Sequence, residues 1–278
     1  MKTILFPTDF SNNALHASQY AGMLARSMNA RVVFLHVHYI PMVAEYNDNA
    51  QIRTIIQNDK MEAEVDMKVF MTKFIEKTQI CPDRISHRIE YGANVPEKIL
   101  VAARSINAHF IVMGTKGAAN TLDKWLGTNA QKVMKESICP VWIIPANAVI
   151  KFPRKIMYAA DFKKDEFLAT HQVLQIVEPL GATCKVIHIN DFISMKADKN
   201  VHELVGALKD EFKEDNVFVR KINRADIIEG LESYINLYKP DVLALAVHEK
   251  SFLENILNTS VSKHFIQGAD VPMLTFRK

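Results

Sequence analysis

A chain of 278 residues, 49% apolar and 23% charged, is long enough for two domains of about 150 residues each and apolar enough to bury a core, which excludes a disordered chain. Its 34 Lys and Arg against 31 Asp and Glu leave a net charge of +3, so neither a nucleic-acid surface nor a polybasic membrane surface is expected. Cys81, Cys139 and Cys184 stand far apart, without Cys-x-x-Cys or zinc spacing, and are expected to be reduced and buried. The opening run Ile4-Leu5-Phe6 stops at Pro7, which is not a secretory signal. No stretch of about 18 uninterrupted apolar residues occurs, so no transmembrane helix is expected and the cytoplasm is the expected compartment.

In chain order, Thr3–Phe6 reads as a short buried strand ending at Pro7. Ser11 can cap a helix carrying Leu15, Tyr20, Met23 and Leu24 at helical spacing. The β-branched run Arg31–Val37 predicts a second strand. Ala50–Thr78 predicts a long helix, with Ile52, Ile55, Ile56, Val65, Val69 and Phe70 on one broad face; Met61, Met67 and Met71 read as its packing. Arg84–Tyr91 alternates as a third strand. Asn94-x-x-Glu97 resembles a capping box with Pro96 in the first turn, opening a helix to about Asn107. Phe110–Met113 predicts a fourth strand, Thr128–Glu136 a helix, and Val141–Ile144 a fifth strand. Strands alternating with helices favour a parallel sheet covered on both faces, with ligands at the carboxyl ends of the strands.

The chain also repeats itself. Ile4-Leu5-Phe6-Pro7-Thr8-Asp9-Phe10 aligns with Ile156-Met157-Tyr158-Ala159-Ala160-Asp161-Phe162, and His36-Val37 with His188-Ile189, both at an offset of 152. Phe110–Met113 aligns with Val242–Leu245, and Pro140 with Pro272, at an offset of 132. The second copy is thus 20 residues shorter, and the difference falls between about residues 38 and 89. Two tandem domains follow, 1–146 and 154–278, joined by a short segment between Pro145 and Pro153.

Residues just after the strands carry the chemistry. Gly114-Thr115-Lys116-Gly117, followed after nine residues by Gly127-Thr128, has the makings of a phosphate cradle. Glycines allow backbone N–H groups close to an anion, and the second part opens a helix whose N–H groups and dipole favour negative charge. The same residues also suit a loop with turn glycines and a Thr N-cap. No Gly-Lys-Ser/Thr follows, so this is not a P-loop, and Pro7-Thr8-Asp9 replaces the glycines of a dinucleotide fingerprint. Asp9 can accept hydrogen bonds from a ribose or a base amine, or it can serve the start of the first helix. Val37 offers a backbone N–H and C=O to an adenine edge, or is a core residue. His36-x-His38 is a possible metal pair but reads better as satisfied rim histidines. Lys116 can reach a phosphate or stand solvated.

The repeat, the Pro7-Thr8-Asp9-Phe10-Ser11 start, His36-Val37 and the Gly114…Gly117…Gly127-Thr128 spacing together resemble the universal stress protein family, in a tandem two-domain form covering essentially the whole chain. The resemblance implies α/β domains with open five-stranded parallel sheets of order 3-2-1-4-5 and binding of ATP or AMP. It implies that Pro7, Thr8, Asp9 and Val37 hold adenine and ribose. Met113, Gly114, Gly117, Gly127, Thr128, Asn129 and Ala130 would line the ribose and phosphate path. Mg²⁺ would sit only on the phosphates, and no catalytic residue or protein metal site is expected. Family members often carry Ser and Val where Thr128 and Asn129 stand, a change that keeps the backbone donors.

In the second half the three glycines become Ala246, Glu249 and Thr259, while Thr128 becomes Ser260. Glu249 would repel phosphate, so this half is expected to be a degenerate packing partner despite keeping Asp161. The apolar fifth strands Val141–Ile144 and Met273–Phe276 offer edges through which the halves can pair, with a homodimer also possible. The sequence therefore points to a non-enzymatic, nucleotide-binding regulatory protein of the stress-response type. The alternative is an interaction scaffold holding another small ligand or none.

Overall fold

The computed structural model describes residues 1–39, 50–115, 126–160, 166–190, 217–223, 227–247 and 271–277. The chain divides into two units, Met1–Ile150 and Lys151–Lys278.

In the first unit the elements are β1 (Thr3–Pro7), α1 (Asn12–Ser27), β2 (Arg31–Tyr39), α2 (Ala50–Thr78), β3 (Ile85–Gly92), α3 (Val95–Ser105), β4 (Phe110–Gly114), α4 (Thr128–Glu136) and β5 (Val141–Ile144). The strands run in the order β3-β2-β1-β4-β5, all parallel. Helices α1 and α2 pack together on one face, α3 and α4 on the other. Burial on both sides explains why Ile4-Leu5-Phe6 and Val32-Val33-Phe34-Leu35 are continuous apolar runs, each residue under 5% exposed. Phe34 is the hub of an aromatic cluster, with ring centroids 4.9 Å from Phe74, 5.6 Å from Phe70 and 5.6 Å from Phe6.

Local chemistry sets the helix ends. The Ser11 hydroxyl accepts the Ala14 N–H at 3.1 Å, and Asn94 accepts the Glu97 N–H while donating its amide to Glu97 Oε2 at 2.9 Å. Helix α3 stops at Ser105, two residues short of the expected Asn107. Asn107 adopts a left-handed φ of 48° and Ala108 N–H returns to the Ala103 carbonyl, which closes the helix.

Helix α2 corrects one sequence expectation. Its buried stripe is Ala63, Met67, Phe70, Phe74 and Thr78, whereas Val65 and Val69 are 60% and 47% exposed and Met61 faces solvent. Three- and four-residue steps select the first set; an apolar side chain out of that phase turns outward. The side chains of Ile52, Ile55 and Ile56 lie outside the described residues. Gly22 sits where α1 crosses α2: a Cβ there would meet Thr78 Cγ2 at 2.5 Å.

The second unit comprises β6 (Lys155–Ala160), α5 (Glu166–Val177), β7 (Thr183–Asn190), β8 (Val217–Asn223), α6 (Ile227–Tyr238), β9 (Val242–Val247) and β10 (Met273–Arg277). Its order is β8-β7-β6-β9-β10, again all parallel. Register preserves the repeat: Ile4 pairs with Val32 as Ile156 pairs with Cys184, and Ile111 with Val141 as Leu243 with Met273. The extra 20 residues of the first half fall between β2 and β3, the connection that holds α2. Left-handed positions repeat as well, Asn29 matching Gly181 and Asn107 matching Lys239.

All three cysteines are free thiols. Cys184 is buried as expected, and burial pushes its thiol up to about 12. Cys139 is only partly buried and Cys81 is exposed, because Cys81 leads into a surface 3-10 turn at Pro82–Arg84. Among the described residues no helix is long and apolar enough to cross a membrane.

Candidate functional site

The strand order of the first unit reverses between β1 and β4, and the site lies beyond their carboxyl ends. Strand β1 ends at Pro7. The Thr8 N–H makes a last bond to the Leu35 carbonyl at 2.8 Å, and the chain then leaves the sheet through Asp9-Phe10-Ser11. Phe10 adopts φ 63°, a costly conformation for a bulky side chain. A hydrogen bond and ring packing hold it there, the ring also lying 6.0 Å from that of Phe70. Its N–H donates to Thr8 Oγ1 at 3.0 Å, and its ring stacks on His36 with centroids 4.4 Å apart. Asp9 Oδ1 accepts from the Ser11 N–H at 3.2 Å and the Ser11 hydroxyl at 2.6 Å. Asp9 therefore braces the turn, while Ser11 is the N-cap itself.

The other wall comes from β4 and α4. Thr115 N–H donates to the Ile144 carbonyl at 3.1 Å, and Gly127 N–H to the Thr115 carbonyl at 2.6 Å. These two bonds bring the start of α4 to the end of β4. The N-cap is Gly127, at φ −66° and ψ 152°, with no side-chain bond; Thr128, one reading of which was an N-cap, is the first helical residue. The N–H groups of Thr128, Asn129 and Ala130 belong to the first turn, which has no helical acceptors, at the positive end of the helix dipole.

Between these walls is a cavity of about 380 Å³. Ala14, Leu35, Val37, Val95, Ile99 and Met113 give it an apolar side, and Thr8, Asp9, Thr115 and the α4 start a polar one. Of the residues singled out from sequence, Pro7, Thr8, Asp9, Val37, Met113, Gly114, Gly127, Thr128, Asn129 and Ala130 line this one cavity. Gly117 and Lys116 lie outside the described residues. Sequence reasoning missed Ala14, Leu35, Val95, Ile99 and Thr115 as lining. Val95 and Ile99 had a legible signal, being one turn apart at the start of the helix after β3.

His36 also lines the cavity. Its Nδ1 lies 2.9 Å from the Thr8 carbonyl oxygen; because a carbonyl only accepts, Nδ1 carries the proton. Burial, helped by the neighbouring His38, lowers the His36 pKa against the opposing pull of the Thr8 carbonyl, Asp9 and Asp66. His38 turns to Asp59, Nε2 to Oδ2 at 3.3 Å. The two rings are 6.2 Å apart, and among the described residues no group of three or more metal-ligating side chains converges. In the second unit Ala246 stands in β9 opposite Phe276, as Gly114 stands opposite Ile144. Asp161, Glu249, Thr259 and Ser260 lie outside the described residues.

The first unit is a doubly wound α/β domain with a half-apolar cavity at its switch point, the place where sheets of this kind take their ligands. The sequence model of the universal stress protein family matches residues 1–145, just over half of the chain, and the protein belongs to that family. A universal stress protein of Thermus aquaticus, from the QAH/OAS sulfhydrylase 3′ region, is 29% identical over 146 residues, covering 51% of this chain and 98% of the relative. A universal stress protein of Synechocystis sp. is 28% identical over 147 residues, covering 52% and 85%. Over nearly the whole chain, the fold is similar to the crystal structure of a universal stress protein from Archaeoglobus fulgidus. The TM-score is 0.70 at 20% identity, covering 99% of this chain and 96% of that one.

Proposed function

We propose that the first unit binds one adenine nucleotide, ATP or AMP, and that the protein acts as a non-enzymatic, cytoplasmic regulator in a stress response. The observation that carries this reading is the cavity joining an apolar slot to a helix N-terminus. A purine fits the chemistry of the slot beside Val37, Val95 and Ile99. Asp9, which lines the cavity, would accept from ribose hydroxyls. The first-turn N–H groups of Thr128, Asn129 and Ala130, with Gly114 and Gly117, are the donors for phosphate. Mg²⁺ would be held through the phosphates, and its chemistry there is charge neutralisation.

The second unit, residues 154–278 of the domain division 1–146 and 154–278, acts in this reading as a degenerate partner. Ala246, Glu249 and Thr259 replace the glycines, and Glu249 brings a charge of the wrong sign. Pairing of the halves through their fifth strands, with or without a homodimer, belongs to the same proposal and rests on the apolar Val141–Ile144 and Met273–Phe276 segments.

Calorimetric titration of the nucleotide-stripped full chain with ATP and Mg²⁺, and with AMP, tests this. One site per chain is expected. Two sites would overturn the degeneracy of the second half. No heat with either nucleotide, together with no thermal shift, would overturn nucleotide binding and favour the scaffold.

A further inference from the structure

The β1–β2 ladder ends one rung early, and a side chain accounts for it. Register pairs Pro7 with Leu35, and Thr8 N–H bonds to the Leu35 carbonyl. In a parallel ladder the next rung would run from the Val37 N–H to the Thr8 carbonyl. Among the described residues that bond is absent: the Thr8 oxygen faces His36 Nδ1 instead, at 2.9 Å. Residues 35 and 37 of β2 turn the same backbone edge toward β1, so the Val37 N–H points to where β1 has already left the sheet. Val37 lines the cavity there. The imidazole is held in this pose by the Phe10 ring stacked at 4.4 Å and 24°.

We infer that His36 is a positioning residue of the site: by donating Nδ1–H to the Thr8 carbonyl it keeps the Val37 N–H out of the sheet and open to a ligand. The left-handed turn at Phe10 belongs to the same device, because it sets the ring that backs the imidazole. This role rests on the nucleotide reading only in its choice of ligand, a purine ring nitrogen being the acceptor for the exposed N–H.

Amide hydrogen exchange at Val37, followed by NMR in the ligand-free full chain, tests the role without any nucleotide. The Val37 amide is expected to exchange at least a hundredfold faster than that of Leu35. His36→Phe keeps a ring against Phe10 but removes the donor, and should slow Val37 exchange at least tenfold. His36→Asn keeps a donor near the Nδ1 position and should leave exchange fast. In binding, His36→Phe should weaken AMP at least tenfold and leave ribose 5-phosphate within twofold, with His36→Asn restoring AMP. A protected Val37 amide in the wild type would overturn the inference. So would equal loss of AMP and ribose 5-phosphate in His36→Phe without rescue by His36→Asn. If the wild type binds no AMP, the nucleotide reading fails while the exchange rates still decide the role of His36. If His36→Phe does not fold, His36→Leu, which also lacks the donor, is read in its place: slowed Val37 exchange supports the role and unchanged fast exchange overturns it.

Discussion

Asn129→Glu separates stability from binding at the start of α4. Asn129 is exposed, stands at the second helical position and lines the cavity. A carboxylate in a first turn is favoured by the helix dipole by about 0.3–1 kcal/mol. For a unit of about 150 residues, that raises Tm by roughly 1–4 °C. A phosphate held on the same N–H groups meets the opposite effect. Two unit charges about 4 Å apart repel by about 1 kcal/mol at the dielectric of water and about 4 kcal/mol at an effective value of about 20. Affinity should therefore fall by about fivefold to about a thousandfold, and added salt should recover part of it. Asn129→Gln supplies the length without the charge. Thermal melting and calorimetric titration with AMP at two salt concentrations read both quantities. Equal affinity of the Glu and Gln variants would refute the placement of phosphate at α4.

Gly22→Ala forces a Cβ to within 2.5 Å of Thr78 Cγ2 and 3.1 Å of the Phe74 ring, so α1 and α2 must separate. Overpacking of this kind costs about 1–3 kcal/mol, more than the helix propensity that Ala gains, and a lowered urea midpoint would register it. In the second unit Asp241 takes the Lys151 ammonium at 2.5 Å and the N–H groups of Arg154 and Lys155 at 2.9 Å each. Burial alone would raise its pKa, but these donors outweigh burial and hold it below the ordinary carboxylate value. Its stabilisation is therefore complete above that ordinary value and is lost as pH falls through the lowered one. Asp241→Ala should cost about 1–3 kcal/mol at pH 7 and converge with the wild type in strong acid. Denaturation series at neutral and acid pH check both.

Much of the fold was legible because the repeat constrains it twice over. Helix Thr128–Glu136 and strand Val141–Ile144 occupy the residues expected of them, since a glycine and a proline mark their edges. The phase of α2 was not legible from hydrophobicity alone. Val65 and Val69 are as apolar as Met67, and only the packed structure, with Phe6 and Phe34 against Phe70 and Phe34 against Phe74, shows that Met67, Phe70 and Phe74 point inward. At the site, polar and glycine positions following strands were readable from the rule that strand ends carry ligands. Ala14 and Leu35 were not, because each looks like any core residue until the sheet brings β2 beside the start of α1. The bond from His36 to Thr8 was hidden for a similar reason. Its partners are 28 residues apart in sequence and meet only through strand register.

The matching left-handed residues, Asn29 with Gly181 and Asn107 with Lys239, carry a consequence for engineering. The backbone path at these two helix ends is the same in both units, while the residues that occupy them differ. Asn and Gly tolerate that conformation, whereas Lys adopts it under strain. Each half is thus a reference text for repairing the other, and Lys239→Asn copies the first half's own solution into the second.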